Sequence, residues 1–312
     1  MEAMQLGSDT KKETAIRRVQ GGSLEERSGI YASVGALCTM LSAKFPPTDA
    51  EPWDRTGLLV GDPHNPISRV AIALDPTVSA IHDAHDAGCN LLVTHHPAFL
   101  EPPTAIIADA TRSYTGSIVF EAVRSNVALA NYHTALDVSV EARNVLPRML
   151  GLVPYDVLEP IGSPQARDGE DSSLHTLVKG YGHMCRVHDD DPLTLSTLAA
   201  RCTSVFGKPP RVWGSFSKPV HRVCTWTGSA GNAARMCLAQ SMDVLICGEI
   251  KYHDALEAAD LGLSLIELGH DISELPLATI LAQAVLDCGI HSDDVVIINQ
   301  NGNWQTPESR RV

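Results

Sequence analysis

Three stretches of this 312-residue chain place imidazoles and carboxylates where apolar runs end. In LLVTHHP (91–97), His95 and His96 close the run and Pro97 holds His96 in an extended conformation. In NYHTALD (131–137), His133 and Asp137 fall just past a second run. In LIELGHDISE (265–274), the run ends at Gly269, and His270 and Glu274 follow four apart, on one face if a helix has begun. Adjacent side chains on a regular strand point to opposite faces, so His95 and His96 can share a site only at the strand's end, or else bind different ions. Read singly, each residue has a plainer role: a strand-end histidine hydrogen-bonded at the surface, or Glu274 as a favourable charge at a helix start. Read together, His95, His96, Asp137, His270 and Glu274 make three neutral imidazoles and two carboxylates. That set suits Zn, Mn, Fe, Ni or Co better than Ca, because nitrogen ligands select against the hardest cations. Five ligands exceed what one open site needs and fit two divalent ions.

Ligands in α/β sheets gather outside the carboxyl ends of strands, and the chain reads as strands that could place them there. GLLVG (57–61) and RVAIALD (69–75) read as buried strands, 77–88 as a helix closing on glycine, and NLLVTHH (90–96) as another strand. A helix near 112–125 and a strand at 127–133 follow. The second half repeats the pattern with strands at 221–229, 243–249 and 263–270 and helices at 231–241 and 252–261. Thr94 follows Arg69 by the same interval as Cys247 follows Arg222, which suggests a duplicated unit. Ahead of the first unit, Val34, Leu37, Leu41 and Phe45 recur at helical spacing and Pro46-Pro47 stops the helix. Between the halves lie a polar loop (163–173), a strand around HTLVKGYG (175–182) and a helix from Pro192 to Phe206 capped by Asp191. The expected fold is α/β: duplicated lobes with layered, mostly parallel sheets. The expected organisation is an N-terminal extension at 1–28, a first lobe at 29–155 and a second at 156–312.

Composition narrows the partners. The 24 basic against 37 acidic residues give a net charge of −13, which repels nucleic acid, and the densest basic stretch, KKETAIRR (11–18), lies in the polar extension. No apolar run approaches bilayer length and the polar start carries no apolar signal segment, so a cytoplasmic protein without a membrane partner is expected. Eight scattered cysteines without a Cys-x-x-Cys pair read as reduced thiols. No Gly-x-Ser-x-Gly elbow, P-loop or Gly-x-Gly-x-x-Gly fingerprint is present.

The strings WDRTGLLVG (53–61), LLVTHHP (91–97), HTALD (133–137), GEIKYHDALEA (248–258) and GHDISE (269–274), in this order, resemble the Nif-three-like dinuclear metal family. Its bacterial members are labelled GTP cyclohydrolase I type 2 homologues. The resemblance implies two α/β lobes with a dinuclear metal site between them and a homohexamer. It implies that His96 and Asp137 hold one ion, that His95 and His270 hold the other, and that Glu274 bridges both. Arg55 stands where the family usually has Asn, and Glu249 where it often has Asp. The resemblance makes His253 a pocket residue, with a helix-surface histidine as the alternative. Lys251 is read either as a phosphate contact or as solvated, and Trp53 as core packing. The implied activity is metal-dependent hydrolysis of a small molecule, with GTP as the substrate in the family's label. Two divalent ions against two carboxylates would leave positive charge to attract its phosphates. A non-enzymatic metal-binding scaffold or regulatory protein is the alternative.

Overall fold

The computed structural model describes residues 17–18, 33–161, 178–188, 190 and 192–304. Two six-stranded sheets organise it. The first runs in the order β1 (Arg17–Arg18), β14 (Val295–Ile297), β3 (Val70–Ala73), β4 (Leu91–Thr94), β5 (Ala128–Asn131), β2 (Gly57–Val60). The second runs β6 (Val153–Pro160), β7 (Gly180–Arg186), β11 (Arg222–Thr225), β12 (Val244–Cys247), β13 (Ser264–Glu267), β9 (Arg211–Trp213). At the heart of each sheet three consecutive strands are parallel. They are joined by α2 (Val78–Asp86) and α3 (Tyr114–Arg124) in the first and by α7 (Ala233–Ala239) and α8 (Tyr252–Asp260) in the second. Antiparallel edges flank them: β2 on β5, β9 on β13, and β7 with β6 beyond β11. This is the α/β class with repeated lobes that the strand pattern predicts.

Strands covered on both faces must be apolar throughout, because their side chains alternate. In β3, Val70 and Ile72 enter one core with α1 (Val34–Lys44) and α10 (Leu277–Asp287), while Ala71 and Ala73 enter another with α2 and α3. In β12, Val244 and Ile246 face α6 (Leu195–Phe206), while Leu245 and Cys247 face α7 and α8. All eight cysteines are unpaired and seven are buried. None of the described helices is long and apolar enough to cross a membrane.

Two differences from the sequence reading have physical causes. A single cut near residue 155 assigns everything after it to the second lobe, yet α10 and β14 return to the first. There β14 pairs parallel with β3, and Leu277, Leu281 and Val285 pack beside α1 on the same face of the sheet. Periodicity shows that α10 has an apolar face without saying which sheet it covers. Helix α6 begins at Leu195 rather than Pro192, because the Thr194 hydroxyl accepts from Thr197 N while Thr197 reaches back, a reciprocal cap. Residues Leu193–Thr194 form β8, paired with β10 (Pro219–Val220). Asp191, the expected cap, and the loop 163–173 lie outside the described residues, and the strand expected at 175–182 is described from Val178. The backbone of Arg17–Arg18 pairs with Val296 and Ile297, and the rest of 1–28 lies outside the described residues. Helix α5 (Val145–Met149) leads from the first lobe into β6.

Candidate metal centre

Strand β4 stops at Thr94, so His95 and His96 lie in the bend beyond it. Their amides still bond to the neighbouring segment, His95 N to Ala73 O at 3.3 Å and His96 N to Leu74 O at 2.9 Å. Freed from strand alternation, the two imidazoles turn the same way, with ring centroids 4.9 Å apart. Past β5, His133 precedes the single turn α4 (Thr134–Asp137), and its ring lies 5.2 Å from that of His95. Asp137 ends that turn. From the other lobe, α9 (His270–Glu274) starts at His270, so His270 Nε2 and Glu274 Oε2 meet one turn apart at 3.2 Å.

All five residues singled out by the sequence come together, and Glu274 lies at their centre. Its Oε1 is 3.7 Å from His95 Nε2, which is in turn 3.7 Å from Asp137 Oδ1. Its Oε2 is 3.0 Å from His96 Nε2 and 3.2 Å from His270 Nε2. Two groups able to hold a cation follow: His95, Asp137 and Glu274, and His96, His270 and Glu274. The resemblance instead joins His96 to Asp137 and His95 to His270, with Glu274 common to both arrangements. A third overlapping group joins His133 to His95 and His96. His133 stood out at the strand's end but was absent from the five expected ligands.

Three carboxylates outside the five expected ligands orient the rings, among them Glu249, which the sequence reading kept apart from the ligands. His96 Nδ1 lies 2.8 Å from Asp75 Oδ1, His133 Nδ1 3.0 Å from Asp54 Oδ1, and His270 Nδ1 3.0 Å from Glu249 Oε1. Each pairing favours a proton on Nδ1 and leaves the Nε2 lone pair facing the cluster, as metal-binding histidines require. Asp75 was detectable: it follows β3 directly, and the parallel register Ala73 with Thr94 places it beside His96. Asp137 Oδ1 accepts from the Thr227 hydroxyl at 3.1 Å, a contact between lobes. The loop carrying Thr227 approaches so closely that a Cβ on Gly228, at φ +62°, would strike Glu274 Oε1.

The electrostatics fit a cation. Burial opposes ionisation of Glu274, yet the surrounding imidazoles of His270, His95 and His96 hold its carboxyl well below the usual range. Burial would lower His96, but Asp75 and Glu274 at its two nitrogens push it up to about 10. Glu274 likewise pushes His270 up to about 9. Burial raises Asp137, opposed by His95. Asp54, although buried, is held near 2 by His133 and Thr134.

Unsatisfied atoms decide the chemistry of the donor set. Both ring nitrogens of His95, which is 0% exposed, are buried without a hydrogen-bond partner, and buried Glu274 Oε2 has only the Nε2 atoms of His96 and His270 against it. Leaving a buried polar group unpaired costs about 1–3 kcal/mol, and the two nitrogens of His95 are an arrangement that a bound cation would relieve. Imidazole nitrogens with carboxylate oxygens suit borderline divalent ions such as Zn, Mn, Fe, Ni or Co.

The surroundings correct other readings. Trp53 is 56% exposed with its ring edge-on to that of His133 at 5.8 Å, so it lies at the rim rather than in the core. Arg55 does not reach the cluster: its Nε donates to Leu100 O at 2.9 Å. Lys251 and His253 are exposed around the start of α8.

The sequence profile described as Duf34/NIF3 (NGG1p interacting factor 3) matches residues 32–301. The chain belongs to this family. Among curated relatives, a Streptomyces coelicolor protein named GTP cyclohydrolase 1 type 2 homolog is 30% identical over 244 residues, spanning 77% of this chain and 81% of that protein. A Clostridium acetobutylicum protein of the same name is 24% identical, spanning 85% and 94%. Among solved structures, a Staphylococcus aureus hypothetical protein superposes with TM-score 0.75 at 26% identity, covering 89% of this chain and 100% of that one. A Bacillus cereus protein related to NIF3 superposes with TM-score 0.75 at 19% identity, covering 91% and 100%, which speaks to the shared fold alone.

Proposed function

We propose that this Duf34/NIF3 protein is a dinuclear metal-dependent hydrolase acting on a nucleotide-like or phosphorylated small molecule, in line with the name its relatives carry. The observation that carries the reading is the buried, unpartnered ring of His95 beside Glu274, within a cluster of further imidazoles and carboxylates. His95 and Asp137 would hold one ion, His96 and His270 the other, and Glu274 would bridge them. When bound, such a pair supplies an acidified water and an electrophilic centre for the substrate. The chain's own contribution is positioning: Asp75 and Glu249 hold two of the rings, Thr227 holds Asp137, and Gly228 leaves room for Glu274 beside the loop after β11.

The expected attraction for phosphates needs correction. Besides Asp137 and Glu274, the carboxylates of Asp54, Asp75 and Glu249 touch the cluster, and five negative charges leave two divalent ions no excess positive charge. A neutral carbon electrophile therefore suits the centre better than a phosphate, and ring opening of a purine at its imidazole carbon, as the relatives' name suggests for GTP, is of that type. The exposed Trp53 indole beside His133 offers such a ring a stacking surface. The same reading takes the protein as a cytoplasmic homohexamer.

One observation favours a second reading, in which the ions serve as a non-enzymatic scaffold or regulatory element. The ligands come from both lobes, so metal binding would couple directly to the arrangement of the lobes. Metal analysis of protein purified without added metal, followed by a turnover screen over GTP, other nucleotides and phosphoesters, separates the two. Two ions with turnover support the hydrolase. Two ions without turnover support the scaffold, and protein that binds no divalent ion overturns both.

A further inference from the structure

The chain beyond β14 crosses from one lobe to the other, and both of its anchor points support residues of the cluster. Ile298 N bonds Ile72 O at 2.8 Å, extending the sheet by one residue. Gln300, only 8% exposed, then uses its whole amide on one spot. Its Oε1 accepts from Leu74 N and Asp75 N, both at 2.8 Å, and its Nε2 donates to Asp75 O at 3.0 Å. Asp75 is the residue whose carboxylate holds His96 Nδ1. Four residues later, Trp304 Nε1 donates to the Asp271 carboxylate at 2.9 and 3.0 Å. The Trp304 ring lies close against Gly269, with the Lys208 ammonium 3.9 Å from its centre. Lys208 Nζ also donates to Trp304 O at 3.1 Å, tying the end of the segment to the second lobe. Gly269 and Asp271 flank His270 on either side.

The two anchors thus reach His96 from the first lobe and His270 from the second, the two imidazoles of a single ligand group. The described hydrogen bonds of residues 298–304 reach neither His95 nor Asp137. We propose that residues 298–304 form a strap that fixes the His96–His270–Glu274 group selectively, with Gln300 and Trp304 as its positioning residues. The proposal rests on the reading of the cluster as a two-ion centre. The Leu74 and Asp75 amides lie just past the end of β3, and Gln300 gives them acceptors that a further strand would otherwise provide. Without it, the Asp75 backbone loses its clamp, and the ring that Asp75 orients loses its fixed direction.

The test is chelator competition on Zn-loaded full-length protein, comparing the wild type with Gln300→Leu, Gln300→Glu and Trp304→Phe. The strap predicts that one of two binding steps weakens by about 10–100-fold, the usual effect of removing a ligand's support, while the other holds. Gln300→Glu retains an acceptor for both amides and should preserve more of the affected step than Gln300→Leu. Unfolding of the metal-free variants, measured alongside, separates positioning from general destabilisation. Two steps that fall together with metal-free stability, or two unchanged steps, overturn the strap while leaving the two-ion reading in place. A wild type that lacks two binding steps overturns that reading and the strap with it.

Discussion

Replacing Glu274 by Gln removes one negative charge at nearly constant volume from the middle of the cluster. The side chain is 4% exposed, and its oxygens lie 3.0–3.7 Å from the Nε2 atoms of His95, His96 and His270. Two divalent ions about 3.5 Å apart repel by on the order of 20 kcal/mol at an effective dielectric of about 20, so an anion must lie between them. If only a tenth of that repulsion, about 2 kcal/mol, went uncompensated in the Gln variant, the weaker ion would lose more than tenfold in affinity. Metal content per chain, measured by plasma emission after desalting, should fall from two ions to one or fewer while far-ultraviolet circular dichroism is unchanged. The plainer role, a charge favouring a helix start, predicts less than about 1 kcal/mol and no change in metal. Geometry already weakens that role, because Glu274 is the last residue of α9, where a negative charge opposes the helix dipole. Retention of two tightly bound ions in Glu274→Gln would refute the bridging role and with it the dinuclear centre.

Three further outcomes follow from the same geometry. The variants His95→Ala and Asp137→Ala should each lose mainly one ion, and His96→Ala and His270→Ala mainly the other; equal intermediate occupancy in all four would contradict the grouping. Asp75→Asn and Glu249→Gln should each weaken metal binding by about 10–100-fold, roughly 1.4–2.7 kcal/mol, with every proposed ligand residue kept; isothermal titration of chelated protein measures this. Away from the cluster, burial and then the charge of Arg143 lower His183 to about 3. The unfolded chain therefore binds the extra proton between about 3 and 6.5, and stability rises with pH across that window. Moving from pH 7 to pH 5 should cost about 2 kcal/mol through this residue. Urea unfolding of chelated wild type and His183→Gln should differ by that slope, and parallel pH profiles would show that His183 is charged in the fold.

The sequence carried the cluster because its ligands belong to local patterns. An apolar run ending in two histidines, a histidine and an aspartate one turn apart, and an i, i+4 pair after a strand are all visible without knowing where the chain goes. What it withheld depends on register and long-range return. That the rings of His95 and His96 turn the same way depends on the bend after Thr94, whereas regular alternation would have sent them apart. Asp54 and Glu249 appeared within recognisable strings, Glu249 at the end of an expected strand, but only the fold brings them to the Nδ1 atoms of His133 and His270. Trp53 suggested core packing because large aromatics usually bury, yet the rim of a cleft leaves it half open. The return of α10 and β14 to the first sheet, and the contacts of Gln300 and Trp304, join residues more than 200 and about 30 positions apart respectively, a range over which periodicity is silent.

The distribution of ligands between lobes links these points to function. His95, His96 and Asp137 hang from the ends of β4 and α4, each fixed by its own sheet, whereas Glu274 and His270 arrive on the short helix α9 of the other lobe. The two groups that contain Glu274 therefore need both lobes, and neither lobe alone supplies more than half of the proposed centre's anionic ligands. A centre assembled this way is sensitive to the angle between lobes, since a shift of even 1 Å would open contacts now at 3.0–3.7 Å. The direct bond from Thr227 to Asp137 ties the second lobe to the first, and the collision that any Cβ at Gly228 would make with Glu274 shows how closely the loop after β11 packs on α9 within the second lobe. Sequence change at Gly228 should therefore harm the centre as surely as change at a ligand, although glycine itself carries no chemistry.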